Sequence, residues 1–156
     1  MFMKDFTRLV ALDAVPALPV AAGLAAGTPV ETRAGWRPVE TLAPGDAVHT
    51  LDGGLRRIAA VDRAWLMPAA GAEVLRLSGG AFGNCDDLAL LPGQHLLIDL
   101  GPEDMAAAGE LPDALGALIP AEALEGMAGV RRARIAAPLQ VVSLVFAEEE
   151  IVWAAS

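Results

Sequence analysis

The sequence predicts an all-β domain of many short strands with one short helix, and three observations carry that expectation. Between Gly27 and Gly54, GTPVETRAGWRPVETLAPGDAVHTLDGG, branched and polar residues alternate in short runs separated by turn dipeptides. Short apolar runs of the same kind recur downstream, with no internal repeat of fixed period. Aromatic residues make up only 4% of the chain and tyrosine is absent, so packing rests on Val, Leu, Ile and Ala. The 156 residues fit one domain, a size at which roughly 70% of the unfolded surface is buried.

Residues 1–22 read as an N-terminal lead-in that adds a strand or short helix, and residues 23–156 as the domain proper. Thr28 to Arg33 alternates and reads as a strand, Ala34-Gly35 turns the chain, and Arg37 to Leu42 resumes an extended pattern. Pro44 fixes its own φ and pushes Ala43 toward extended geometry, while Gly45 supplies the positive φ of a type II turn. Ala47 to Leu51 is the next strand, closed by the hairpin dipeptide Asp52-Gly53. Leu55 to Leu66, Glu73 to Leu77 and His95 to Leu100 are further strand candidates. Residues 101–116, rich in Ala, Gly and Pro, read as a loop or short helix, with a helical turn or two available over Glu103 to Ala108. Ala121 to Met127 is the better short helix, with Pro120 in front and Gly129 behind. Leu139 to Phe146 and Ile151 to Trp153 read as a final hairpin turned at Glu148-Glu149.

RPVETLAPGDAVHTLDGG with GTPVET before it resembles the opening of a Hint domain, the Hedgehog and intein autoprocessing fold, in its bacterial subgroup. LRLSGGAFGN at 75–84, LLPGQHLLI at 90–98, ALIPAEALEGMAGVRRA at 117–133 and VVSLVFAEEEIVWA at 141–154 follow in the expected order. The resemblance implies a Hint-like fold whose N- and C-terminal segments lie close together. It also implies a cysteine or serine at the first position that attacks the preceding carbonyl, and a histidine that protonates the leaving amide nitrogen. Loss of such an acid lowers a rate by about 10²–10⁴, whereas loss of the nucleophile removes the route.

Counting back from Gly27-Thr28 places the nucleophile position at Gly23, and its neighbours Leu24, Ala25 and Ala26 offer no hydroxyl or thiol. The family's histidine is read as His95, but the Thr or Ser expected three residues before it is Pro92, which has neither hydroxyl nor N–H. The chain closes on Ala154-Ala155-Ser156, without the terminal Asn of splicing members. The expectation is therefore a degenerate member that lacks the nucleophilic cysteine, with no catalytic residues and a relic cleft formed by Gly23, Thr28, Gln94 and His95. It is expected to act as a protein-binding or assembly module rather than as an enzyme. One alternative is autoprocessing through an unrecognised residue such as Cys85 or Thr28. The other is a small-ligand pocket in the vacated cleft around Gly23, Gln94 and His95.

The remaining candidates carry bland readings. His95 at a strand start fits a packed or capping residue, and His49 a solvent-facing or groove-lining one. Cys85 in GNCDDL adjoins Asp86 and Asp87, which disfavour a thiolate. Thr28 and Ser78 fit ordinary strand positions. Asp86-Asp87 and Glu148-Glu149-Glu150 match no Ca²⁺-loop spacing. Two histidines and one cysteine do not make a structural zinc site, so neither metal nor cofactor is expected.

The net charge of −9, from 20 acidic and 11 basic residues, argues against nucleic acid. The one dense basic cluster, Arg131, Arg132 and Arg134, follows an acidic segment, Gly101 to Gly129, and reads as its ion-pair partner or a solvated strand end. Hydrophobic content is 54% and mean hydropathy +0.47. Yet the longest uncharged run, Ala14 to Val30, carries three prolines and two glycines and is too broken for a membrane span. Asp5 and Asp13 interrupt any secretion signal, and a single cysteine fits a reducing compartment. A cytoplasmic location is expected, with a protein as the partner.

Overall fold

The computed structural model describes residues 2–4, 20, 22–98 and 117–154. They form β1 (Phe2–Lys4), β2 (Leu24–Ala25), β3 (Pro29–Thr32), β4 (Gly35–Pro38), β5 (Ala47–Thr50), β6 (Gly54–Arg57) and β7 (Ala60–Leu66). β8 (Glu73–Leu77), β9 (Leu88–Leu90), β10 (His95–Ile98), β11 (Ala117–Pro120), β12 (Val130–Arg134), β13 (Leu139–Val145) and β14 (Ile151–Trp153) follow. Among the described residues, helix is confined to three short 3₁₀ turns, Val39–Thr41, Pro68–Ala70 and Ala121–Leu124. The architecture is all-β, and the strands pair antiparallel. One sheet runs β11-β10-β1-β14-β5-β3-β4, with β6 paired to β5, and the other runs β12-β8-β9-β2-β13-β7.

The chain passes repeatedly between the two sheets, and one core joins them. Val30, Val48, Leu96 and Val152 from the first sheet meet Leu24, Leu75, Leu77, Leu90, Val142 and Leu144 from the second, each essentially inaccessible to solvent. Turn residues Val39, Leu42, Ile58 and Leu124 fill the same cluster. Truncating one of these leucines to Ala costs about 2–5 kcal/mol, through lost transfer energy and the cavity left behind.

The corner read from the sequence is built as follows. Ala43 O accepts from Asp46 N–H at 3.1 Å across Pro44-Gly45, and Gly45 has φ +93°, the geometry of a type II turn. Asp46 Oδ2 accepts from Ala43 N–H at 3.0 Å and pairs with Arg37 at 3.3 Å. Gly27 N–H donates to Glu40 Oε2 at 2.8 Å, and Thr28 O accepts from Val39 N–H at 2.9 Å. Within PVETLAPGD, Glu40 and Asp46 thus cap turn amides that no strand satisfies.

Three local expectations are corrected. Leu55 to Leu66 is not one strand: β6 belongs to the first sheet and β7 to the second. Buried Ile58 donates to Asp46 O at 2.9 Å while Ala59 donates to Val145 O at 2.7 Å, so the backbone changes partners between them. Likewise β13 and β14 are not a hairpin, since β13 pairs with β2 and β7 whereas β14 pairs with β1 and β5. Between them Glu150 is buried, and Arg56 of β6 pairs with it at 3.1 Å where the chain crosses from one sheet to the other. The helix at Ala121 is a 3₁₀ turn ending at Leu124, because Met127 N–H closes a separate turn on Leu124 O at 3.0 Å before Gly129. The expectations for residues 5–19 and 99–116, Glu103 to Ala108 included, lie outside the described residues.

The N- and C-terminal segments do meet. β1 pairs with β14 through Phe2↔Trp153, Met3↔Val152 and Lys4↔Ile151. Among the described residues no helix is long and apolar enough to cross a membrane.

Candidate functional site

Gly23 lies immediately before β2, which sits between β9 and β13 in the second sheet. It is buried, and its φ of +125° falls in a region that L side chains rarely adopt. A Cβ placed on Gly23 would stand 2.5 Å from Val141 Cγ1, 3.1 Å from Ser143 Oγ and 3.4 Å from Val142 O, all on β13. Val141 is itself buried and short, so it cannot swing aside as a long side chain would. The space a nucleophilic side chain would occupy is filled by protein.

The amide of Gly23 is held from the other side. Its N–H donates to Gln94 Oε1 at 2.8 Å in a fully buried contact. Gln94 precedes β10 after the Pro92-Gly93 turn, where its own N–H donates to Leu91 O at 3.0 Å. Its carbonyl accepts from Ala121 N–H at 2.8 Å, which continues the β10–β11 register of His95↔Pro120 by one residue. Gln94 Nε2 donates to His95 O at 3.1 Å. Because a peptide N–H only donates, the amide oxygen must be the atom that faces Gly23. A carboxamide in that position accepts a hydrogen bond from the peptide N–H and offers that nitrogen no acidic proton.

The candidate residues therefore separate. Gln94 and Leu96 are fully buried while His95 and Leu97 between and beyond them are half-buried, so strand alternation directs His95 to the face opposite Gln94. It is Gln94, rather than His95, whose side chain reaches the Gly23 amide. Thr28 is buried one turn downstream, where its N–H donates to Ala25 O at 3.0 Å. Its role here is to close the turn that leads from β2 into β3. Cys85 is exposed in the loop between β8 and β9. Ser143, which no sequence motif singled out, is the hydroxyl closest to where a Gly23 side chain would stand. Only the β2–β13 pairing, Leu24↔Val142, brings it there from 120 residues away in sequence.

Outside this region several acidic side chains have structural partners. Asp87 Oδ1 accepts from Gly79 N–H at 2.9 Å. Arg132 meets Glu125 with two nitrogens at 2.6–3.0 Å, and Arg132 and Arg134 both approach Glu73 at 3.7 Å. The hydrogen bonds from Arg132 hold the Glu125 carboxyl below its ordinary value of 4.5, and the same bonds raise Arg132 further. Among the described residues no group of three or more His, Cys, Asp or Glu side chains is placed to hold a metal ion.

A family model described as the Hint domain matches residues 22–156. Among solved structures, a splice-inactive variant of the AceL NrdHF class 3 split intein is 14% identical, with a TM-score of 0.51 over 86% of this chain and 99% of that one. A bacterial intein-like domain from Clostridium thermocellum is 17% identical, with a TM-score of 0.49 over 84% of this chain and 97% of that one. At these identities the likeness is one of fold alone. No curated protein matches the chain.

Proposed function

The chain belongs to the Hint domain family, and we propose that it is a member that neither cleaves nor splices and serves as a protein-binding or assembly module. The observation that carries the reading is Gly23, which has no side chain, sits at φ +125° and has Val141 2.5 Å from where a Cβ would be. Covalent catalysis from this position needs a nucleophile on a side chain and an acid at the leaving nitrogen. Gln94 supplies only an acceptor to that nitrogen. A binding role is supported by Trp65 and Met67, 59% and 48% exposed at the end of β7, an edge strand whose one strand neighbour among the described residues is β13. Edge strands with exposed aromatic side chains are suited to pairing with a partner chain.

Intact mass spectrometry of the purified protein, before and after thiol or hydroxylamine treatment, tests the loss of cleavage. One uncut species is expected in every sample. A fragment beginning at Gly23 would overturn the reading.

A second reading, autoprocessing, is favoured by one observation, the Ser143 hydroxyl packed against Gly23. In that reaction Ser143 Oγ would attack the Ala22 carbonyl carbon, the Ala22–Gly23 C–N bond would break, and the hydroxyl proton would pass to the Gly23 amine, leaving an ester on Ser143. Any cleavage at Gly23 that persisted in Ser143→Ala would rule this route out.

A further inference from the structure

We infer that a notch between the β3–β4 turn and the β5–β6 hairpin is an oxyanion site that takes the carboxylates of an acidic peptide segment. A cavity of about 250 Å³ opens there, bordered by Arg33, Arg37, Arg57 and Asp46 around Ala34 and Ala47. Register puts the first and third arginines on one face. Arg33 N–H donates to Ala47 O at 3.0 Å, and Ala47 is the register partner of Arg57, so the two guanidiniums flank a small residue across three adjacent chains. With neighbouring strands roughly 4.8 Å apart, their Cα atoms span roughly 10 Å, a gap that two long side chains close around one carboxylate.

The donor inventory shows which groups are open to a ligand. Arg37 is engaged with Asp46 Oδ2 at 3.3 Å and Thr41 O at 2.8 Å. Arg57 uses Nη1 on Gly45 O at 3.0 Å and keeps its remaining N–H groups. Arg33 is exposed, and none of the hydrogen bonds or ion pairs among the described residues engages its side chain. The single acid, Asp46, is already shared between Arg37 and Ala43 N–H. Three arginines against one aspartate leave the rim at +2 in a chain whose net charge is −9. This local reversal of sign favours an acidic ligand at the notch. The notch shares no residue with the contacts of Gly23, so the inference stands whether or not the chain cleaves itself.

Amide chemical shifts of the ¹⁵N-labelled protein test it, with a capped peptide of four Asp and Glu residues, phenyl phosphate, inorganic phosphate and sodium chloride at matched ionic strength as probes. The peptide is expected to move the amides of Arg33, Ala34 and Ala47. Arg33→Ala, which removes no internal contact, is expected to weaken binding about tenfold, the loss of one charge-assisted hydrogen bond. Arg131→Ala, an exposed arginine elsewhere, is expected to leave it unchanged. Shifts produced by the phosphates but not by the peptide would overturn the carboxylate assignment. Shifts that sodium chloride reproduces, or no shifts at all, would overturn the site.

Discussion

Gly23→Ala is the smallest perturbation that probes the position immediately before β2, and its cost follows from the geometry. A residue with a Cβ held at φ +125° bears about 1–3 kcal/mol of backbone strain. The new methyl would meet Val141 Cγ1 at 2.5 Å and Ser143 Oγ at 3.1 Å, and overpacking of this kind costs about 1–3 kcal/mol. The sum, about 2–6 kcal/mol, is a large share of the 5–15 kcal/mol of a natural domain. At about 2–4 °C per kcal/mol for this size, the midpoint should fall by about 4–24 °C. Thermal denaturation followed by far-UV circular dichroism measures the midpoint, and urea denaturation the free energy. Val141→Ala should relieve the overpacking but not the strain, so the double variant should show a coupling of about 0.5–3 kcal/mol. A Gly23→Ala protein within about 0.5 kcal/mol of the parent, the ordinary range of surface changes, would mean that the site accommodates a side chain. The structural case for lost cleavage would then collapse.

Other outcomes are expected. Gly23→Cys should be destabilised like Gly23→Ala and should remain a single uncut species by intact mass, since a thiol added there has no acid at the leaving nitrogen. Gln94→Ala leaves the buried Gly23 N–H without an acceptor, a loss of about 1–3 kcal/mol, and hydrogen exchange at Gly23 should quicken; unchanged exchange would show that water or another group replaces Gln94. Asp46→Ala removes the acceptor for Ala43 N–H and the partner of Arg37. Discounted for partial exposure, it should cost about 1–2 kcal/mol in the same denaturation assay. Glu125, whose folded pKa is depressed by Arg132, contributes stability that is present above its unfolded value of 4.5 and is lost as pH falls through the lower folded value. The stability difference between the parent and Glu125→Gln should therefore be constant at neutral pH and shrink below pH 4.5; a difference that grew on acidification would reverse the assignment.

The strands and the corner were legible because they depend on near neighbours. Pro44-Gly45 dictates its turn through the backbone limits of two residues, and Glu73 to Leu77 announces a strand as a short run rich in branched apolar residues. The candidate site was legible only in part. The absence of a hydroxyl or thiol from Gly23 to Ala26 is plain in the chain. Which of two consecutive residues, Gln94 or His95, would reach Gly23 was not, since one step along a strand exchanges its two faces. The reading of β13 and β14 as a hairpin failed for a related reason: a turn between two apolar runs looks alike whether the chain folds back or crosses to another sheet.

What the amino-acid order determined by itself was an all-β scaffold, its tight turns and the absence of a hydroxyl or thiol from Gly23 to Ala26, all properties of residues within a few positions of each other. What only the tertiary structure decided was how Val141, Ser143 and Gln94 close around Gly23, and how Arg33 and Arg57 come to flank one small residue. Those contacts join positions 71 to about 120 residues apart, or two strands separated by a third. Their distances arise from sheet pairing and side-chain packing, which the local pattern of a chain does not encode.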